Sequence, residues 1–180
     1  MITILRFLLV TGVVYWLLTE EWQWAFAGFL IAGISDGVDG FVARHFDQRS
    51  KLGAYLDPMA DKLLLVSVFV VLGFIGKLPL WLVVAAVSRD ALIVCAVLLS
   101  TVMGAPVEMK PLMVSKANTA IQIVLAAVVL AELAFDAAFG ILRPSLILAS
   151  LLLTVASAAA YLVAWTRHMS AHGQGENSDG

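Results

Sequence analysis

The sequence predicts an all-α, polytopic membrane protein with six transmembrane helices, and three observations carry that expectation. Hydrophobic residues fill 62% of the 180 positions, and the mean hydropathy is +0.98. No soluble domain of this length buries so much apolar surface, whereas a bilayer accepts it. Six apolar runs meet or approach the ~20 residues a helix needs to cross the hydrocarbon. They cover 2–18, 23–44, 52–75, 79–102, 114–135 and 144–166. Between them stand charged, Gly and Pro residues, which end helices.

Taken in order, the first run lacks a small-residue cleavage site and leads into further apolar runs, so it reads as a retained helix. Thr19-Glu20-Glu21 separates it from the second run, and a polar connector between Arg44 and Leu52 separates the second from the third. Gly76-Lys77-Leu78-Pro79, Gly104-Ala105-Pro106 and Arg143-Pro144 mark the remaining breaks. Helices suit the bilayer because each satisfies its own backbone groups there. Ala156, Ser157, Ala158, Ala159 and Ala160 give the sixth run a small-residue stretch that permits close helix packing. Beyond Arg167 the chain turns polar and Gly-rich, so residues 1–167 read as one transmembrane domain and 168–180 as a disordered cytoplasmic tail. His168 and His172 are spaced as a metal pair but lack a third ligand. The single Cys95 excludes an internal disulfide and reads as a small apolar residue.

Net charge is −2, and its distribution says more than its sum. Six spans put both termini on one side, together with Arg6, Arg44, Arg49, Lys51, Lys110, Lys116 and Arg167. Lys77 and Arg143 fall on the other side. The excess of Lys and Arg then makes the termini and the Arg44–Leu52 connector cytoplasmic.

Around that connector the chain concentrates its acids. Asp36, Asp39, Gly40, Ala43 and Arg44 form one stripe on a helix, because positions three and four apart share a face. Gly53, Asp57 and Asp61, spaced four and four, form another on the following helix. A hairpin of the two brings four carboxylates together, and in apolar surroundings they repel one another unless cations intervene. Oxygen-only donors, with no Cys or His nearby in sequence, favour hard divalent ions such as Mg²⁺, Mn²⁺ or Ca²⁺ over zinc. Gly40 and Gly53 let a bulky group approach the backbone, and Arg44 suits a phosphate. The expected site is thus an intramembrane metal centre near the cytoplasmic face, built for phosphoryl chemistry on a large anion.

The whole pattern, Asp36-x-x-Asp39-Gly40-x-x-Ala43-Arg44, eight residues, then Gly53-x-x-x-Asp57-x-x-x-Asp61, resembles the signature of the CDP-alcohol phosphatidyltransferases at every position. Within that family, Asp57-Pro58-Met59-Ala60-Asp61-Lys62, Ser88-Arg89-Asp90 and Ser115-Lys116-x-Asn118-Thr119-x-x-Gln122 look most like the eukaryotic-type, CDP-diacylglycerol-dependent cardiolipin synthases. Ile2-Thr3-Ile4-Leu5-Arg6 is similar to the family's entry segment, which has an Asn a few residues earlier. Either the natural start lies upstream of Met1 or the nucleotide pocket manages without that Asn.

The resemblance implies two divalent cations, Mg²⁺ or Mn²⁺, held by Asp36, Asp39, Asp57 and Asp61. It implies CDP-diacylglycerol bound by Gly40, Ala43, Arg44, Ser50 and Gly53, with Asp61 as the base that takes the acceptor's proton. The acceptor it implies is phosphatidylglycerol, giving cardiolipin and CMP in phospholipid biosynthesis. Glycerol 3-phosphate, the acceptor of phosphatidylglycerophosphate synthases, is the alternative. Both are anionic, so Lys51, Lys62, Arg89 and Lys116 would serve either. A homodimer in a bacterial inner membrane is the expected setting, with no nucleic-acid partner.

Several of these residues carry a plainer reading as well. Arg89 and Asp90, near the middle of the fourth run, suit a structural ion pair between helices, and the Ser115–Gln122 segment suits a helix cap with a polar interface. Glu132 lies near the outer end of the fifth run, with no role assigned. Buried acids also occur in ion channels and proton-coupled carriers. Such carriers are often built from repeats, and the Asp pattern occurs once.

Overall fold

The computed structural model describes the backbone of residues 2–46, 51–102 and 113–175, and the side chains of residues 8–35, 62–95 and 113–163. Among the described residues the chain forms six α-helices and no strand: α1 (Ile2–Leu18), α2 (Trp22–Phe46), α3 (Lys51–Phe74), α4 (Leu80–Val102), α5 (Met113–Phe135) and α6 (Leu142–Gly175). α5, and α6 from Leu142 to Val163, are long and apolar enough to cross a membrane. Leu8–Leu18, Trp22–Ser35 and Lys62–Phe74 are shorter apolar stretches. α6 continues to Gly175, past the boundary placed at Arg167. The extension has a local reason: no Gly or Pro interrupts the chain between Pro144 and Gly173.

Two compact units divide the chain. One contains residues 1–80 and 123–144, the other residues 81–122 and 145–180, so α5 contributes to both. In the first unit α1 packs against α2 and α3. Its described buried residues are apolar: Val13 and Leu17 of α1, Ala25 and Phe29 of α2, Val68 and Leu72 of α3. Gly28 governs how closely the first two helices approach. A Cβ built there would stand 2.9 Å from Val13 Cγ2 and 3.0 Å from Trp16 Cζ3. Replacing Gly28 by Val should therefore destabilise the protein by about 2 kcal/mol, read as a lower unfolding midpoint in detergent.

Three helix ends in this unit share one device. The N–H of Glu21 bonds the Trp16 carbonyl at 2.9 Å, that of Lys77 the Leu72 carbonyl at 2.8 Å, and that of Ala137 the Glu132 carbonyl at 3.1 Å. Each bond reverses the chain through a left-handed residue. Those residues are Glu20 (φ 62°), Gly76 (φ 71°) and Asp136 (φ 49°). Of the three, only Gly76 has no Cβ to crowd in this conformation. Glu20→Gly should raise stability by about 1 kcal/mol, a shift that thermal unfolding would register.

Charged side chains tie the same helix ends together. Arg143 pairs with Glu132 at 3.0 Å and donates a hydrogen bond to the Lys77 carbonyl. Glu132 also accepts from the Phe139 N–H at 3.2 Å. Lys77 Nζ lies 5.8 Å from the centre of the Trp22 ring, a cation–π contact. Glu132 therefore has a definite structural role, joining the end of α5 to the start of α6.

The second unit is built differently. Arg89, Asn118, Gln122, Ser150, Thr154 and Ser157 are the buried polar side chains among the described residues, and all belong to it.

Candidate functional site

The signature positions fall on two consecutive helices. Asp36, Asp39, Gly40, Ala43 and Arg44 lie in the last three turns of α2, and Lys51, Gly53, Asp57 and Asp61 in the first three of α3. At 3.6 residues per turn, the α2 set recurs along one stripe and the α3 set along another. The side chains of these nine residues, and Ser50 entirely, lie outside the described residues. Their convergence is thus an expectation from helix register. Four carboxylates offer oxygen donors alone, a set that fits Mg²⁺ or Mn²⁺ in character. Among the described residues, no group of three or more His, Cys, Asp or Glu side chains is arranged to hold a metal ion.

Of the residues proposed for an acceptor, Lys116 is exposed, Lys62 partly buried and Arg89 buried. Arg89 stands at the centre of a polar cluster drawn from three helices. Its Nη1 donates to Asp90 Oδ1 at 2.6 Å. Nη2 donates to Ser115 Oγ on α5 and to Ser157 Oγ on α6, each at 2.5 Å. Nε donates to the same Ser157 oxygen at 3.1 Å. The guanidinium carbon lies 5.8 Å from the centre of the Tyr161 ring. A guanidinium has five N–H groups, and four are engaged here. This is how a cation that is only 2% exposed avoids the penalty of an unsatisfied buried charge.

The ion pair differs from the one expected between helices, because Arg89 and Asp90 are neighbours on α4. Consecutive helix residues diverge by about 100°, and the long arginine stem folds back to meet its neighbour. The bonds from Arg89 to other helices go to hydroxyls.

A second bond sits beside the first. Thr154 Oγ1 on α6 donates to Asn118 Oδ1 on α5 at 3.1 Å. Ser115 with Ser157, then Asn118 with Thr154, advance three residues along α5 and retreat three along α6. The same antiparallel register, continued four residues, brings buried Gln122 level with buried Ser150. Thr119 bonds back onto its own helix, donating to the Ser115 carbonyl one turn earlier at 3.2 Å. Thr154, Ser157 and Tyr161 are thus members of the polar cluster that the sequence reading did not single out as such, and buried Ser150, whose hydroxyl has no hydrogen-bond partner, lies on the same side of α6. Their trace in the sequence is a set of polar residues spaced four, three and four within an apolar run.

A cavity of about 690 Å³ lies elsewhere, lined by Glu20, Glu21, Trp22 and Gln23 together with Leu133–Asp136. It adjoins the start of α2, whereas the signature occupies that helix's other end.

Comparison with known proteins matches residues 1–166 to a family model described as CDP-alcohol phosphatidyltransferase. The chain is 34% identical over 163 residues to the human "Cardiolipin synthase (CMP-forming)", covering 82% of this chain and 54% of that protein. Over 94 residues it is 39% identical to a "Putative cardiolipin synthase" of Mycobacterium tuberculosis strain H37Rv, covering 52% of this chain and 45% of that protein. A "Cardiolipin synthase (CMP-forming)" of Streptomyces coelicolor is 40% identical over 74 residues, 41% of this chain and 34% of that protein. The chain spans about half the length of the human relative.

Proposed function

Since the chain belongs to the CDP-alcohol phosphatidyltransferase family, we propose that it transfers the phosphatidyl group of CDP-diacylglycerol to phosphatidylglycerol, forming cardiolipin and CMP. One observation carries the reading: the complete acid signature stands on two successive helices, four carboxylates at helical spacing. The relatives named above as cardiolipin synthases support the choice of acceptor.

In this reading all six helices span the membrane, and the α2–α3 junction faces the cytoplasm. A water-soluble nucleotide head then reaches the site while acyl chains stay in lipid. Asp36, Asp39, Asp57 and Asp61 would hold two divalent cations, which would supply positive charge against the diphosphate. Gly40 and Ala43 leave room for the cytidine, Gly53 admits the diphosphate to the backbone, and Arg44 with Ser50 holds a phosphate. The acceptor hydroxyl attacks the phosphorus attached to diacylglycerol, and the bond to CMP breaks. Asp61 takes the hydroxyl proton and fixes that oxygen in line with the breaking bond. Lys51, Lys62, Arg89 and Lys116 attract the anionic acceptor, Arg89 from its buried clamp. The setting we propose is a homodimer in a bacterial inner membrane.

The test offers purified protein CDP-diacylglycerol and Mg²⁺ or Mn²⁺ with phosphatidylglycerol or glycerol 3-phosphate, then resolves the lipids. Cardiolipin from phosphatidylglycerol alone is the expected product. Phosphatidylglycerophosphate from glycerol 3-phosphate would retain the transferase and reject the proposed acceptor. The absence of CMP release with any alcohol would reject the transferase itself and return attention to carrier function.

A further inference from the structure

We infer that Asn118 of α5 and Ser150 of α6 hold one buried water molecule between them, a binding site inside the second unit. Both side chains are 0% exposed, and both belong to that unit. Asn118 Oδ1 accepts from Thr154 Oγ1 at 3.1 Å. Its Nδ2 has no hydrogen-bond partner, and neither has Ser150 Oγ. Turning the amide over would leave its oxygen unpaired instead of its nitrogen, so one polar atom of Asn118 is left over either way. A helical serine can satisfy itself on the carbonyl one turn back, but Ser150 does not. Folded interiors seldom leave such atoms bare, because burying each one unbonded costs more than ordering a water.

Helix geometry sets the size of the gap. The bond from Thr154 holds Asn118 level with that residue. Ser150 stands one turn before Thr154, about 6 Å away along α6 at roughly 1.5 Å per residue. That distance is too long for a direct bond. It suits two bonds of about 2.8 Å that meet at one oxygen. A water there accepts from Asn118 Nδ2 and donates to Ser150 Oγ, whereas a hydrocarbon group satisfies neither. Gln122, 4% exposed, lies one turn beyond Asn118 and level with Ser150, so a third polar side chain borders the site. Buried water ordinarily has about three such partners.

The first experiment uses the full chain in lipid bilayers. The sequence contains two asparagines, Asn118 and Asn177. Isotopically labelled asparagine in an Asn177→Ser background therefore leaves one side-chain amide to observe. Solid-state NMR that passes magnetisation from water protons should excite Asn118 Nδ2 at short mixing times, although this side chain has no access to bulk solvent. Ser150→Ala should remove most of that signal. No transfer to Asn118 overturns the inference, as does transfer that Ser150→Ala leaves undiminished.

Stability in detergent supplies a test of sign. With a bridging water, Ser150→Ala deletes a bond and should lower the unfolding midpoint by about 3 °C. Deleting a bare hydroxyl would leave the midpoint unchanged or raise it, and either result overturns the inference. In an Asn118→Leu background, which keeps the volume but has no polar end, Ser150→Ala should cost nothing further. An equal fall in both backgrounds would mean that Ser150 bonds within α6 alone, and the water is then rejected. Should Asn118→Leu fail to fold, the NMR comparison of wild type with Ser150→Ala decides by itself.

Discussion

Replacing Asp61 by Asn should lower cardiolipin formation by roughly 10³-fold, the range over which a positioned acid–base group contributes to rate. Asparagine keeps the volume and loses both the charge and the basic oxygen. On the proposed reading it removes a cation ligand and the proton's destination together. The loss should appear in kcat at saturating concentrations of both lipids, with the purified variant unfolding at the wild-type midpoint. A variant retaining a tenth or more of wild-type kcat would take Asp61 out of the chemistry and leave it as a dispensable member of the acid cluster.

Arg89→Ala should be the most damaging of the described substitutions to stability, by about 3 kcal/mol. The side chain is 2% exposed and Asp90 16%. Removing the cation leaves a largely buried carboxylate and two serine hydroxyls facing a space where the guanidinium was. The contrast is Arg143→Ala. That residue also pairs with a glutamate, but its side chain is 35% exposed, so solvent screens the loss and the expected cost is about 1 kcal/mol or less. Chemical unfolding of both variants in the same detergent would rank them. Equal costs would mean that the Ser115 and Ser157 bonds contribute little beyond a surface pair.

Much of the architecture was legible because long apolar helices are written in length and punctuation. Eleven of the twelve expected helix ends lie within two residues of those observed, set by Gly, Pro and charged breaks. The end of α6 was missed because polarity was read as loss of structure, although nothing between Arg167 and His172 interrupts a helix. Spacing alone puts Asp36 and Asp39 on α2 and Asp57 and Asp61 on α3, since helix register is local.

Tertiary partners were less visible. Glu132 and Arg143 meet across a turn whose path no periodicity encodes. For Arg89 and Asp90, helical divergence favoured a partner on another helix, whereas the flexible stem allowed a neighbour. Ser150, Thr154 and Ser157 drew little notice because small hydroxyl residues suit an apolar helix whether bonded or not. Thr154 finds its partner in Asn118 on α5 and Ser157 in Arg89 on α4.

That register has a mechanical consequence. Two greasy rods can slide along one another in oil at little cost, because lipid tails replace leucine contacts almost evenly. Ser115 and Ser157, bridged by Arg89, and the Asn118–Thr154 bond act as teeth spaced along both rods. A slip of one residue disengages every tooth at once and leaves fully buried Asn118 and Ser157 facing hydrocarbon. The hairpin is therefore a ratchet with one deep notch.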